Sequence, residues 1–297
     1  MMTFATRRVR WSLAPRGAAL GGDWREREAI LVALRCDDGA TGLGEAAPLP
    51  GMSKETIEDA ERALARLASD VARGDDVARA RIATVAREMP SAAFALETAL
   101  AVVAAQRSRT SVAGILGGEH EVRACAIVDD EHDVVAAPVV KIKVGAAAFT
   151  DDLARVRRIA RAHPSAAVRV DANRRWPRAD TRTRLAALAD ALGDRLEYVE
   201  EPCANAYELL AEPLACRIAL DESLVTLTAT DVAAALRSPS LAALVLKPTL
   251  LGGFARCLEL AATARAHGKW PVVTHALEGA VGRAACTELA RAVGGPP

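Results

Sequence analysis

Two kinds of hydrophobic spacing divide the chain near Gly117-Gly118. Before that point, residues 7–13 and 29–36 alternate as extended segments, the second ending at the turn Asp37-Asp38-Gly39. The Gly-rich stretch from Gly17 to Gly22 between them reads as a loop. Residues 46–53, Ala-Ala-Pro-Leu-Pro-Gly-Met-Ser, hold two prolines and cannot continue as helix or central strand. Ser53 is the expected N-cap of a following helix, with Glu55 in its first turn. From Thr56 to about Gln106 the spacing is helical, broken near Gly74 and at Pro90. The pattern predicts an α+β unit over residues 1–118, strands first and helices after.

Beyond Gly118, short apolar runs alternate with amphipathic stretches. Strands are expected at 124–128, 139–144, 168–171, 196–200, 217–221, 243–247 and 271–275. After the strand ending at Val144, Thr150 is the expected N-cap, Asp151 and Asp152 follow it, and Leu153, Val156, Ile159 and Ala160 form an apolar stripe. Repeated βα units imply a parallel sheet. Seven such strands favour a (β/α)7β-type TIM barrel over 119–297, so the fold class is α/β with an N-terminal α+β capping domain. No Gly-x-Gly-x-x-Gly follows any strand, which weakens the alternative, an open doubly wound sheet.

Composition narrows the function classes. Thirty-eight basic residues balance thirty-eight acidic ones, and half the chain is apolar. This argues against disorder and against nucleic-acid binding. No uncharged apolar run reaches membrane-spanning length, and no apolar stretch follows the basic N-terminus as in a secretory signal. A cytoplasmic protein that binds neither nucleic acid nor membrane is expected; the oligomeric state is not legible. The six cysteines are scattered without a Cys-x-x-Cys pair, so reduced, mostly buried thiols are expected rather than zinc or disulfides. Only five basic residues are lysines: Lys54, Lys141, Lys143, Lys247 and Lys269. A lysine kept in so Arg-rich a chain suits a task arginine cannot perform, because arginine does not give up its proton.

The active site of a (β/α) barrel lies at the C-terminal ends of its strands. Lys141 and Lys143, Asp171, Glu200, Asp221 and Lys247 fall at successive strand ends. Period two puts Lys141 and Lys143 on one face, and Arg169, Asp171 and Asn173 likewise on one face. Three carboxylates from adjacent strands form a hard, oxygen-only set suited to Mg²⁺, with Mn²⁺ as the alternative. A lysine close to another cation has a lowered pKa and can act as a base.

The runs Lys141-Ile142-Lys143, Asp171-Ala172-Asn173, Glu200-Glu201-Pro202, Asp221-Glu222-Ser223 and Lys247-Pro248 resemble the enolase superfamily, in its muconate-lactonizing branch. The stretch from Gly42 to Thr56 and the run Leu246-Lys247-Pro248-Thr249-Leu250 resemble one kind of member most. The resemblance implies Asp171, Glu200 and Asp221 as Mg²⁺ ligands, Lys143 as general base, Lys141 tuning it, and Lys247 stabilising an enediolate. It implies a small-molecule carboxylate substrate and a capping loop closing over it, with Pro50, Met52 and Ser53 among the substrate-binding residues beside Arg169 and Asn173. The implied reaction is the syn-dehydration of 2-succinyl-6-hydroxy-2,4-cyclohexadiene-1-carboxylate to o-succinylbenzoate, in menaquinone biosynthesis. Racemisation of N-succinylamino acids or epimerisation of dipeptides on the same scaffold is the alternative. After the last strand the family has a Ser-rich turn that holds a substrate carboxylate. Here the run is Thr274-His275-Ala276-Leu277-Glu278-Gly279, in which Thr274 replaces the serine hydroxyl and His275 adds a donor. Family members also carry a further segment returning to the capping domain, whereas this chain ends at Pro297, soon after.

Overall fold

The computed structural model describes residues 2–13, 25–133 and 135–295. The expected loop from Gly17 to Gly22 lies outside the described residues. Strands β1 (Met2–Ser12), β2 (Glu26–Cys36) and β3 (Thr41–Ala46) form an antiparallel sheet in that order. Ile30, Val32, Leu34 and Cys36 of β2 share a buried face, as their spacing of two requires. Helices α1 (Ile57–Ala72), α2 (Asp75–Val85), α3 (Pro90–Ser108) and the short α4 (Val112–Ile115) follow.

Strand β3 was not among the expected elements, since Gly-Leu-Gly-Glu has little strand propensity. Its glycines are there for packing. A Cβ on Gly42 would lie 2.0 Å from the Ala99 carbonyl oxygen, and one on Gly44 1.8 Å from that of Ala95. Only bare backbone lets α3 lie so close to the sheet.

Helix α1 starts later than its expected cap. Asp59 N–H donates to Thr56 Oγ1 at 3.1 Å, and Thr56 N–H donates to the Asp59 carboxylate at 3.0 Å, a reciprocal capping box. Ser53 and Glu55 have other uses. Leu49 N–H donates to Ser53 Oγ at 2.8 Å and closes the loop. Ser91 N–H donates to Glu55 at 2.6 Å and satisfies the start of α3.

The second sheet is parallel throughout. It runs β10 (Trp270–Val273), β9 (Leu241–Leu246), β8 (Ile218–Leu220), β7 (Leu196–Glu200), β6 (Ala167–Asp171), β5 (Val139–Lys143), β4 (Cys125–Ile127), with neighbours consecutive in the chain. Between and after these strands come α5 (Phe149–Ala162), α6 (Arg178–Leu192), α7 (Ala229–Arg237), α8 (Pro248–Leu251), α9 (Phe254–Ala266) and α10 (Ala280–Val293). The expected α/β class with an antiparallel N-terminal sheet is what the chain adopts. The ladder runs from β4 to β10 with no closing pair among the described residues, so the barrel is a curled half-barrel. Val140, Ile142, Val168, Val170 and Val199 are fully buried in the core of this unit. Each contributes roughly 1.5–3 kcal/mol relative to exposure.

Helix α5 begins at Phe149, with Ala148 rather than Thr150 at its cap. Asp152 instead accepts Gly145 N–H, in the loop before the helix, at 2.6 Å. Val156, Ile159 and Ala160 are buried, as the stripe predicted.

The segment after β10 does return to the N-terminal part. Gly279 and Gly282 N–H donate to Glu45 of β3 at 2.5 and 2.8 Å. Ala113 N–H donates to Glu288 at 2.9 Å. Phe94 of α3 meets Phe254 edge-on, with ring centroids 5.4 Å apart. Four of the six cysteines, Cys36, Cys203, Cys257 and Cys286, are buried, and among the described residues no helix is long and apolar enough to cross a membrane.

Candidate active site

Parallel pairing sets Lys143, Asp171 and Glu200 side by side on β5, β6 and β7. One level beneath, Lys141, Arg169 and Tyr198 are aligned in the same way. Asp221 follows the end of β8, and Lys247 the end of β9. The six ionisable residues expected at strand ends are thus brought into one buried row, with Lys143 and Lys247 approaching it from opposite flanks.

The three amines are not equivalent. Lys141 Nζ lies 2.7 Å from Glu200 and 2.9 Å from Asp171. Lys247 is paired with Asp221. Lys143 stands 3.7 Å from Asp171, and its nearest acceptor is the neutral Asn173 Oδ1, at 3.2 Å. Burial pulls all three amines down. For Lys141 it is outweighed by Asp171 and Glu200, and for Lys247 by Asp221 and Glu222, so both remain firmly ammonium. For Lys143 burial prevails, helped by the Lys141 and Lys247 charges, and its pKa lies below the ordinary lysine value.

Burial raises the Asp171 carboxyl, but Lys141 and Lys143 outweigh it and hold its pKa below the ordinary value, whereas the other two carboxylates are under-compensated. Burial, with repulsion from Asp171 and Asp221, pushes Glu200 up to about 7 against the pull of Lys141. Burial likewise pushes Asp221 up to about 6, with Glu222 adding to it and Lys247 opposing. Glu222 Oε2 is buried without a hydrogen-bond partner among the described residues. An all-oxygen set with an orphaned carboxylate oxygen beside it fits a hard divalent cation. Among the described residues no three acidic, His or Cys side chains are already gathered closely enough to hold one, because the Lys141 and Lys247 ammoniums lie against the carboxylates.

Glu201, second in the Glu200-Glu201-Pro202 run, carries a role that its place in the sequence does not announce. It is fully buried and ties three loops together. One oxygen accepts Asp221 N–H at 2.9 Å and Ser223 N–H at 2.7 Å; the other accepts Ser223 Oγ–H at 3.0 Å and Arg174 Nε–H at 3.1 Å. Its φ of 38° lies in the left-handed region, as do those of Asn173 (44°), Arg174 (62°) and Leu277 (62°). Such costly backbone gathers where loops must hold a set geometry.

Other sequence-predicted residues sit as follows. Asn173 bonds Lys143 and reaches Glu222 Oε1 at 3.5 Å. Arg169 is buried beneath the row, bonded to Glu197 at 2.6 Å and stacked over Tyr198 at 5.0 Å. An irregularity in the β6–β7 register lets neighbouring Glu197 and Tyr198 both serve Arg169. Arg169 thus lies one level below the strand ends, 5% exposed, with its guanidinium engaged by Glu197 and Tyr198. Pro50 is exposed at the tip of the capping loop, whereas Ala47, Pro48 and Leu49 before it are buried. Leu49 packs with Leu250 and Ala276, flanked by Met52, Val225 and Leu277. Ser53 holds the loop closed. Thr274 continues the β10 ladder, its N–H donating to the Leu246 carbonyl at 3.0 Å. His275 Nδ1 accepts Leu277 N–H at 3.2 Å. Desolvation and the Arg283, Lys247 and Lys141 charges lower its pKa although close to half of the side chain stays exposed; in the neutral ring, Nδ1 accepting leaves the proton on Nε2.

Comparison with known proteins identifies the family and the fold. The enolase C-terminal domain-like family model matches residues 121–296. The chain belongs to that family. By its membership and its relatives it is an enzyme of the lyase class. The model of the MenC N-terminal domain matches residues 21–103. The o-succinylbenzoate synthase of Pasteurella multocida (strain Pm70) is 33% identical over 273 residues, covering 90% of this chain and 78% of the relative. Among solved structures, the L-Ala-D/L-Glu epimerase from Bacillus subtilis superposes with a TM-score of 0.83 at 23% identity, over 97% of this chain and 86% of that one. The dipeptide epimerase from Methylococcus capsulatus, complexed with Mg and the dipeptide L-Arg-D-Lys, gives 0.77 at 27% identity over 98% and 87%.

Proposed function

We propose that the protein is an o-succinylbenzoate synthase, removing water from 2-succinyl-6-hydroxy-2,4-cyclohexadiene-1-carboxylate in a Mg²⁺-dependent syn elimination that serves menaquinone biosynthesis. The domain division at about residue 118 assigns substrate closure to the N-terminal part and chemistry to the half-barrel. Asp171, Glu200 and Asp221 would hold the metal. When bound, Mg²⁺ supplies divalent positive charge at the substrate carboxylate, where negative charge accumulates.

The observation that carries this reading is the unequal placement of the three amines. Lys141 and Lys247 are paired to carboxylates, while Lys143 faces a neutral amide. Lys143 takes the proton α to the carboxylate. The electron pair left behind delocalises into the carboxylate, where the ammoniums of Lys141 and Lys247 oppose the new charge. Lys143, now protonated, gives that proton to the departing hydroxyl on the same face, and water leaves as the ring becomes aromatic. Asn173 aims the Lys143 amine, and neutral His275 offers an Nε2–H donor beside the site.

The second reading, racemisation of N-succinylamino acids or epimerisation of dipeptides, is favoured by one feature, the approach of Lys143 and Lys247 from opposite flanks. The test is an assay of purified protein with the cyclohexadiene substrate and Mg²⁺, next to a panel of N-succinylamino acids and dipeptides. Dehydration that dominates the panel and falls to background after exhaustive chelation is expected. Dominant epimerisation, or full activity after chelation, would reject the assignment or its metal.

A further inference from the structure

Arg27 is among the largest fully buried side chains, 2% exposed, and among the described residues it has no carboxylate partner at hydrogen-bond distance. All of its bonds go to backbone carbonyls on two segments distant in sequence. Nη1 donates to Pro48 at 2.8 Å and Nη2 to Ala47 at 2.8 Å, both in the capping loop. Nη2 also reaches Ala276 at 3.4 Å, and Nε donates to Leu277 at 3.3 Å, both in the turn after β10. A buried guanidinium without an ion pair is costly, and a fold keeps one where its planar fork does something a smaller group cannot. Here the fork spans the loop and the turn, holding both backbones in one register.

Those backbones carry side chains that pack against one another. Leu49 follows Pro48 and packs on Leu250 and Ala276; His275 precedes Ala276. The Leu277 carbonyl reaches Arg27 from a residue in the left-handed region, a conformation that needs outside support. We propose that Arg27 is a positioning residue: it sets the capping loop and the His275 turn against each other, so that substrate is gripped between Leu49 with Met52 on one side and His275 on the other. The substrate part of this inference rests on the dehydratase reading above; the coupling of the two segments does not.

The test therefore has two arms. In the first, hydrogen exchange is followed for the amides of Leu49, Gly51, Met52, Ser53 and residues 277–279 in wild type, Arg27→Lys and Arg27→Ala, without substrate. Faster exchange in both segments together, on the order of tenfold or more, is expected, with partial restoration of Arg27→Ala by added methylguanidinium. Faster exchange in one segment only, in neither, or throughout the protein without rescue, would overturn the coupling. In the second arm, kcat and KM are measured for Arg27→Lys. KM should rise by about 10–100-fold, as expected for displacement of binding groups by about an ångström, while kcat changes far less. Loss of kcat at unchanged KM would overturn the positioning role. If wild type itself fails to dehydrate the substrate, the functional reading fails while the exchange arm still decides the role of Arg27.

Discussion

The row of strand ends and the roof above it are built by different means. In the row, every working atom belongs to a side chain, and parallel register places Lys143, Asp171 and Glu200 abreast. In the roof, the decisive bonds run to backbone carbonyls of Ala47, Pro48, Ala276 and Leu277, and apolar contact of Leu49 with Leu250 completes it. Substitutions in the row should therefore damage chemistry, and those in the roof should damage binding.

The largest expected effect is in the row. Lys143→Arg should lose on the order of 10⁴ in kcat, since one residue acts as base and then as acid and arginine does neither. Lys247→Arg keeps the positive charge and should lose about 10²–10³ or less, the effect of a disturbed electrostatic donor. Steady-state rates on the cyclohexadiene substrate, with fold and Mg²⁺ affinity checked, give the comparison. Equal losses would mean that both lysines transfer protons, as a two-base racemase requires.

The same division explains what was legible in the sequence. Period-two alternation exposed the Lys-x-Lys pair and the single acid at each following strand end, because register turns sequence position directly into space. Arg169 shares that alternation but lies a level deeper, and its partner Glu197 is reached only through an irregular register no residue pattern announces. Strand β3 was hidden because its glycines serve the contact with α3. The cap of α1 was misplaced because Ser53 satisfies a loop amide. Arg27 left no trace, since a carbonyl acceptor exists at every residue and marks none.

A middle-sized effect belongs to the roof. Leu49→Ala removes the buried anchor of the capping loop while leaving every charged group in place. KM should rise about 10–100-fold, the equivalent of the low end of a Leu→Ala cavity cost, and kcat should fall less. Were kcat to collapse at unchanged KM, the roof would share in the chemistry and the division between the two regions would fail.

The smallest expected effect concerns stability, at the point where roof and capping sheet meet. Glu278 is buried beside Glu45, Arg27 and His275; it accepts Ala276 N–H at 2.5 Å, and its Oε1 finds no partner among the described residues. Burial pushes its pKa from 4.5 up to about 7, with Glu45 adding to the rise and Arg27 opposing it. A carboxyl whose folded pKa is raised holds its proton in the folded state after the unfolded chain has released it. Its contribution to stability is thus full below about 4.5 and is lost as pH climbs through about 7. At most this amounts to about 3 kcal/mol, from the size of the shift. Glu278→Gln keeps the shape and one acceptor for Ala276 but cannot ionise. The variant and wild type should therefore have similar urea midpoints at pH 4.5, and the variant should gain on wild type as pH rises to 7.5. Glu97, also buried and pushed up to about 7, keeps its own slope in both proteins and cancels in the difference. A variant that is destabilised equally at both pH values would show that Glu278 holds the roof as a carboxylate, through its charge on Arg27, and not as a neutral acid.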